Sequence, residues 1–186
     1  DILILVGLVG RGIISADQIA RELFPSEDRC RRRLRQLYDA GYLSLSIVTP
    51  TKPNLVSLTR RGLEYARDQA PALAVQLHMA GPLKLSELDH RLLAIDVRLY
   101  ASALGQKRGS PLLTWASGRG SLSMRLGLDA FNVEPEAIAQ FAAGNSPVAV
   151  AVEVISTIKP VSALARRLPR YAASARETRV DALWVA

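Results

Sequence analysis

The chain has 186 residues, 49% of them hydrophobic and 22% charged, a composition that fits one folded domain or two small ones and excludes global disorder. Lys and Arg number 24 against 17 Asp and Glu, and the resulting +7 favours an anionic partner, nucleic acid being the commonest. One cysteine and two histidines, His78 and His90, exclude an intrachain disulfide and a cysteine-based zinc site and make a histidine-rich metal site a poor fit.

The longest apolar run, Ile2 to Val9, is far short of the roughly 20 residues that span a bilayer. It also lacks the basic flank and cleavage site of a signal peptide, so the expectation is a soluble, cytoplasmic protein with no membrane partner. The first residue is not Met and the last residues are an apolar run, so the chain is expected to be a trimmed piece of a longer protein.

Ile2 to Gly10 reads as a short buried helix. Ser15 and Gln18 have the spacing of a capping box, followed by Ile19, Leu23 and Phe24 on one helical face and by Pro25 as a stop. Ser26 is the next N-cap, and Glu27 and Asp28 suit the positive end of a helix dipole. That helix runs to Ala40, with Cys30, Leu34, Leu37 and Tyr38 on its apolar face and Gly41 as its C′ residue. Its other face carries Arg29, Arg32, Arg35 and Gln36, flanked by Arg31 and Arg33. Arginines reach phosphates and guanine edges, and a glutamine can pair with adenine, so this face fits a DNA recognition helix; the plainer reading is a solvated basic face. Cys30 is read as a small core hydrophobe.

Tyr42 to Val48 alternates like a strand, Thr49 to Pro53 is a turn with Lys52 at its tip, and Asn54 to Leu58 returns as a second strand. Thr59 then caps a helix that opens with Arg60, Arg61 and Gly62. Arg33 to Leu43 and the Leu58-Thr59-Arg60-Arg61-Gly62 stretch resemble the winged-helix superfamily. The resemblance implies that the helix at 26–40 enters the major groove of duplex DNA and that the wing at 49–54 tracks the backbone. Arg29, Arg31, Arg32, Arg33, Arg35, Gln36, Lys52, Arg60 and Arg61 are the DNA-binding candidates. Ala70 to Ala80 reads as an apolar connector helix suited to a homodimer contact, and Gly81-Pro82 marks a domain boundary, giving domains at 1–80 and 81–186.

Beyond it, a helix with a broad apolar surface runs from Ser86 to near Gly105. Leu112 to Ala116 is a strand, Leu122 to Leu126 a short one, and Leu128 to Val133 a strand carrying Asp129. Glu134 to Ser146 is expected to be a loop with a small helix around Glu136 to Ala142. Pro147 to Ser156 is an apolar strand containing Glu153. Val161 to Arg176 is a helix that Pro169 should kink or split, and Val180 to Ala186 is a last strand. The predicted fold class is α+β: a winged helix-turn-helix followed by an α/β domain of αβββαβ order.

That order is the order of the PD-(D/E)xK nuclease core. The resemblance implies two carboxylates on a divalent metal and a lysine beside the attacking water. Asp129 and Glu153 take the carboxylate positions and are the metal candidates; Ile155 stands where the lysine belongs, and Lys159 is the nearest amine. Together with Asp89 to Leu99 and the Leu164 to Tyr171 helix, these segments are similar to the replication-relaxation family of plasmid and mobile-element proteins. The resemblance implies a duplex-DNA-binding protein of plasmid replication or transfer. On the plainer reading, Asp129 and Glu153 are structural and pair with an arginine such as Arg91, Arg166 or Arg167, and the expectation leans away from an enzyme and from any cofactor. The alternatives are a Mg²⁺-dependent nuclease and a ligand-sensing regulator. No nucleotide-binding glycine motif is present.

Overall fold

Ser15 and Gln18 close a reciprocal capping box: the Ser15 hydroxyl accepts from the Gln18 N–H and the Gln18 carbonyl oxygen accepts from the Ser15 N–H, both at 3.1 Å. Both side chains are buried, so each satisfies a backbone donor that water cannot reach. The box sets the junction between strand β1 (Ile13–Ser15) and helix α1 (Ala16–Leu23), which buries Ile19 and Ala20. In the computed structural model, residues 12–46, 54–70, 85–117, 135–144, 146–155, 161–177 and 181–186 are described. The expected helix at 2–10, all but the last residue of the wing at 49–54, Lys52 included, all but the first residue of the connector at 70–80, the strands at 122–126 and 128–133 with Asp129, and Lys159 lie outside them.

The chain is of mixed α+β class and divides into two units, Asp1–Leu88 and Asp89–Ala186. In the first, α2 (Glu27–Asp39) buries Cys30, Leu34 and Leu37 at the expected spacing. Tyr38, expected on the same face, is instead 43% exposed. At about 100° per residue it lies about 80° from Cys30 around the helix, off the side that Leu34 and Leu37 seal. Ser26 precedes the helix in extended conformation, but its side chain makes no capping bond.

Gly41, at φ +76°, ends α2: its N–H donates to the Tyr38 carbonyl and the Tyr42 N–H to the Leu37 carbonyl, the paired bonds of a Schellman turn. The chain continues as β2 (Leu43–Ser46) and returns as β3 (Leu55–Leu58). β3 is the central strand of an antiparallel sheet ordered β1-β3-β2, with Ile14 opposite Val56 and Leu43 opposite Leu58. Thr59 then caps α3 (Arg60–Gln69) by accepting from the Gly62 N–H at 3.0 Å, and its hydroxyl donates to the Gly41 carbonyl at 2.7 Å.

The second unit follows the order α4 (Leu85–Lys107, whose first residues belong to the first unit), β4 (Leu112–Ser117), β5 (Ala137–Ala143), β6 (Ser146–Glu153), α5 (Val161–Glu177) and β7 (Ala182–Val185). Its sheet is ordered β4-β5-β6-β7, antiparallel up to β6 and parallel between β6 and β7. A parallel pair needs a crossover, which α5 supplies. On one face of the sheet Val97 of α4 packs with Ala137, Ala139, Val152 and Val154; on the other lie Ala116, Ile138, Ala149 and Ala151. No described helix is long and apolar enough to cross a membrane.

Two expectations are corrected here. Residues 137–143, expected as loop or helix, form β5: alanine favours helix in isolation, but each of these residues pairs with β6, and burial between neighbouring strands overrides that local preference. The hairpin closes from Ala143 to Ser146 across two residues, with Gly144 at φ +56°. And α5 runs continuously through Pro169 rather than splitting. The carbonyl that Pro169 leaves without a helical donor is that of Ala165, which is exposed and open to water.

Gly62 carries a specific steric demand. A Cβ at this position would overlap the Tyr42 carbonyl oxygen and press on Leu58. Gly62→Ala should therefore lower stability by about 2 kcal/mol, despite alanine's better helix propensity. Urea unfolding of the variant checks this, and a midpoint at or above that of the parent chain would refute the steric account.

Candidate nucleic-acid interface and carboxylate cluster

α2 is a helix of two sides. Opposite its buried Cys30–Leu34–Leu37 face, Arg29, Arg31, Arg32, Arg35 and Gln36 are exposed, and Arg33 is half-buried. Two of the arginines are matched with acids on the same helix: Arg31 with Asp28 at 3.4 Å, and Arg35 with both oxygens of Asp39 at 3.0 and 3.1 Å. These pairs are well exposed and add little stability. Arg33 donates to the Gln36 carbonyl oxygen at 2.6 Å. Arg29 and Arg32 take part in no ion pair with a described residue.

The other two cationic candidates differ from each other. Arg60 is exposed and pairs with Glu64 at 3.1 Å. Arg61 lies over the Tyr42 ring, 5.1 Å from its centroid, and Tyr42 in turn stacks on Tyr65 at 4.7 Å. Arg61 thus belongs to the packing between the end of α2 and α3. Burial first, then the Asp17 charge, pushes the Cys30 thiol up, which favours its protonated form in the core.

In the second unit, the second strand of the antiparallel run is β5, so the carboxylate at its opening is that of Glu136, just after Pro135. Ala137 pairs with Val152, and continuing that register places position 136 across from Glu153. Neighbours at such positions have Cβ atoms about 5 Å apart. Glu136 accepts from His90 of α4, Nε2 to Oε2, at 3.0 Å. The second nitrogen of His90, Nδ1, is buried and has no hydrogen-bond partner among the described residues.

Glu153, only 4% exposed, is gripped from α5. Arg167 donates to its Oε1 and Tyr171 donates to its Oε2 at 2.7 Å, while Arg167 also donates to the Tyr171 hydroxyl at 3.2 Å. Burial, followed by the hydrogen bond to Glu153, pushes the Tyr171 hydroxyl well above its ordinary range, so it remains a donor at every ordinary pH. Both oxygens of this buried carboxylate thus have a charge-assisted donor. Among the described residues, no group of three or more His, Cys, Asp and Glu side chains converges as metal ligands.

Of the expected site residues, the structure thus joins Glu153 to Arg167 and leaves Asp129 and Lys159 outside the described residues. Sequence reasoning missed Glu136 and Tyr171. The signals were present: Pro135-Glu136 opens a strand, and Arg167 and Tyr171 stand at i and i+4 of one helix face. Comparison with known protein families, with curated proteins and with solved structures finds no match.

Removing Arg167 leaves a buried charge at Glu153 with one donor. Arg167→Ala should cost about 3 kcal/mol of stability, and adding Glu153→Gln should restore part of the loss. Equal or greater destabilisation in the double variant, by denaturant titration, would show that the pair does not act as a unit.

Proposed function

We propose that this protein binds duplex DNA through a winged helix-turn-helix in its first unit and carries a nuclease-like second unit that does not cleave. The observation that carries the first part is the α2 face. A helix that buries Cys30, Leu34 and Leu37 on one side turns a row of arginines outward on the other, with Arg29 and Arg32 in no ion pair among the described residues. The order β1-α1-α2-β2-β3-α3, with β3 between β1 and β2, supports the winged-helix reading. In it, α2 lies in the major groove with phosphate and base-edge contacts, and the hairpin between β2 and β3 follows the backbone.

The order α4-β4-β5-β6-α5-β7 supports a nuclease-like ancestry for the second unit. The state of its carboxylates supports loss of cleavage. Glu136 and Glu153 are neighbours by register, but His90 holds one and Arg167 with Tyr171 holds the other. Metal-assisted hydrolysis needs open carboxylate oxygens and a cation or donor beside the attacked phosphate. Ile155, with its apolar side chain, stands two residues after Glu153, where the lysine of such nucleases would be. We read the chain as a cytoplasmic DNA-associated protein of plasmid or mobile-element replication or transfer, on the resemblance of its segments to the replication-relaxation family.

Two measurements test this. Fluorescence anisotropy with labelled duplex should show salt-dependent binding. Arg29→Ala with Arg32→Ala should weaken it and reduce the slope of log affinity against log salt by about one unit per lost phosphate contact. Unchanged affinity and slope would remove α2 from the interface. Incubation with supercoiled, linear and single-stranded DNA in Mg²⁺ or Mn²⁺ should give no nicking. Nicking that vanishes in both Glu136→Ala and Glu153→Ala would establish the metal-dependent nuclease instead.

A further inference from the structure

We infer that the Arg29–Arg32–Gln36 stripe of α2 offers the DNA chiefly hydrogen-bond donors, and so favours guanine on the strand it contacts; this rests on the duplex-binding reading above. Arg29, Arg32 and Gln36 stand at i, i+3 and i+7, a stripe about 10 Å long, which matches about three base-pair steps. The two arginines are donors only. Gln36 alone on this stripe carries an acceptor, its side-chain carbonyl oxygen, and Arg33 donates to that oxygen at 2.6 Å, so it competes with any base for it. Of the three carboxylates on α2, those of Asp28 and Asp39 are engaged, and Glu27 stands on the opposite side of the helix from Arg29, Arg32 and Gln36. Asp28 pairs with Arg31 and Asp39 with Arg35.

The major-groove edge of guanine presents two acceptors, N7 and O6; adenine requires a donor and an acceptor together, and cytosine requires an acceptor. A donor stripe therefore satisfies guanine and leaves the amino groups of adenine and cytosine without a partner. Gln36, which could pair with adenine in isolation, is converted by Arg33 into a further guanine reader. Arg33 is the positioning residue of this arrangement: it acts on specificity through Gln36.

The test is anisotropy of the full chain on short duplexes of equal length and salt, carrying either runs of guanine, the same runs with 7-deazaguanine, which lacks the N7 acceptor but pairs normally, or A·T sequence. The guanine duplex should bind about tenfold more tightly than the A·T duplex, and 7-deazaguanine should erase most of that margin. Arg33→Ala, which frees the Gln36 oxygen, should narrow the margin by improving adenine-containing sites, an effect that mere loss of a phosphate contact would not produce. Gln36→Glu, which places an acceptor on the stripe, should narrow it further. Equal affinity for all three duplexes, with strong salt dependence, would overturn the guanine inference and leave duplex binding intact. A margin unchanged in both variants would overturn the role of Arg33 and Gln36, and no binding to any duplex would overturn the underlying reading as well.

Discussion

The carbonyls of Gly41 and Tyr42 are the point on which the first unit is assembled. They sit in the turn that ends α2, and Thr59, at the start of α3, reaches both: its hydroxyl donates to one and its N–H to the other. Gly62 then lets α3 lie directly against the Tyr42 carbonyl, and Arg61 and Tyr65 close over the Tyr42 ring. Buried or half-buried carbonyls need donors, and this contact supplies them while fixing three elements at once. The end of α2, the start of β2 and the start of α3 cannot move independently. The direction in which α2 points its arginines is therefore set by a turn at its far end, not by the arginines themselves.

That geometry explains why some of the chain was legible in sequence. Capping residues, a glycine at a helix C-terminus and three-to-four-residue apolar spacing act locally, so Ser15-Gln18, Gly41 and Leu34-Leu37 could be read directly. Tyr38 could not, because whether a residue at the margin of an apolar face is covered depends on what the neighbouring elements bring to it. The same limit governed the second unit. Ala137 to Ala143 has a local preference for helix and becomes a strand through pairing with β4 and β6, which periodicity does not see. The two-residue turn at Gly144 was the available cue.

The carboxylates show the limit in another form. Glu153 was visible as an acid on an apolar strand, and pairing with an arginine was one of the readings open to it. Which arginine, and that a tyrosine hydroxyl would take the second oxygen, required α5 to be laid across the strand end. Glu136 stayed hidden because its importance is one of register: it matters only once β5 is known to be the neighbour of β6. Through Arg167 and Tyr171 the cluster ties α5 to the end of β6.

The capping box at the start of α1 has a consequence for how the sequence can change. Ser15 and Gln18 are both buried, and each supplies the acceptor for the other's backbone N–H. An apolar replacement at either position strands a donor in a place water does not reach, so each single step is costly. An exchange that preserves an oxygen at both, such as threonine with glutamate, keeps both bonds. Each position is thus held to a side chain that carries an oxygen acceptor, and a substitution at either is decided by whether it keeps that oxygen within reach of the other residue's backbone N–H.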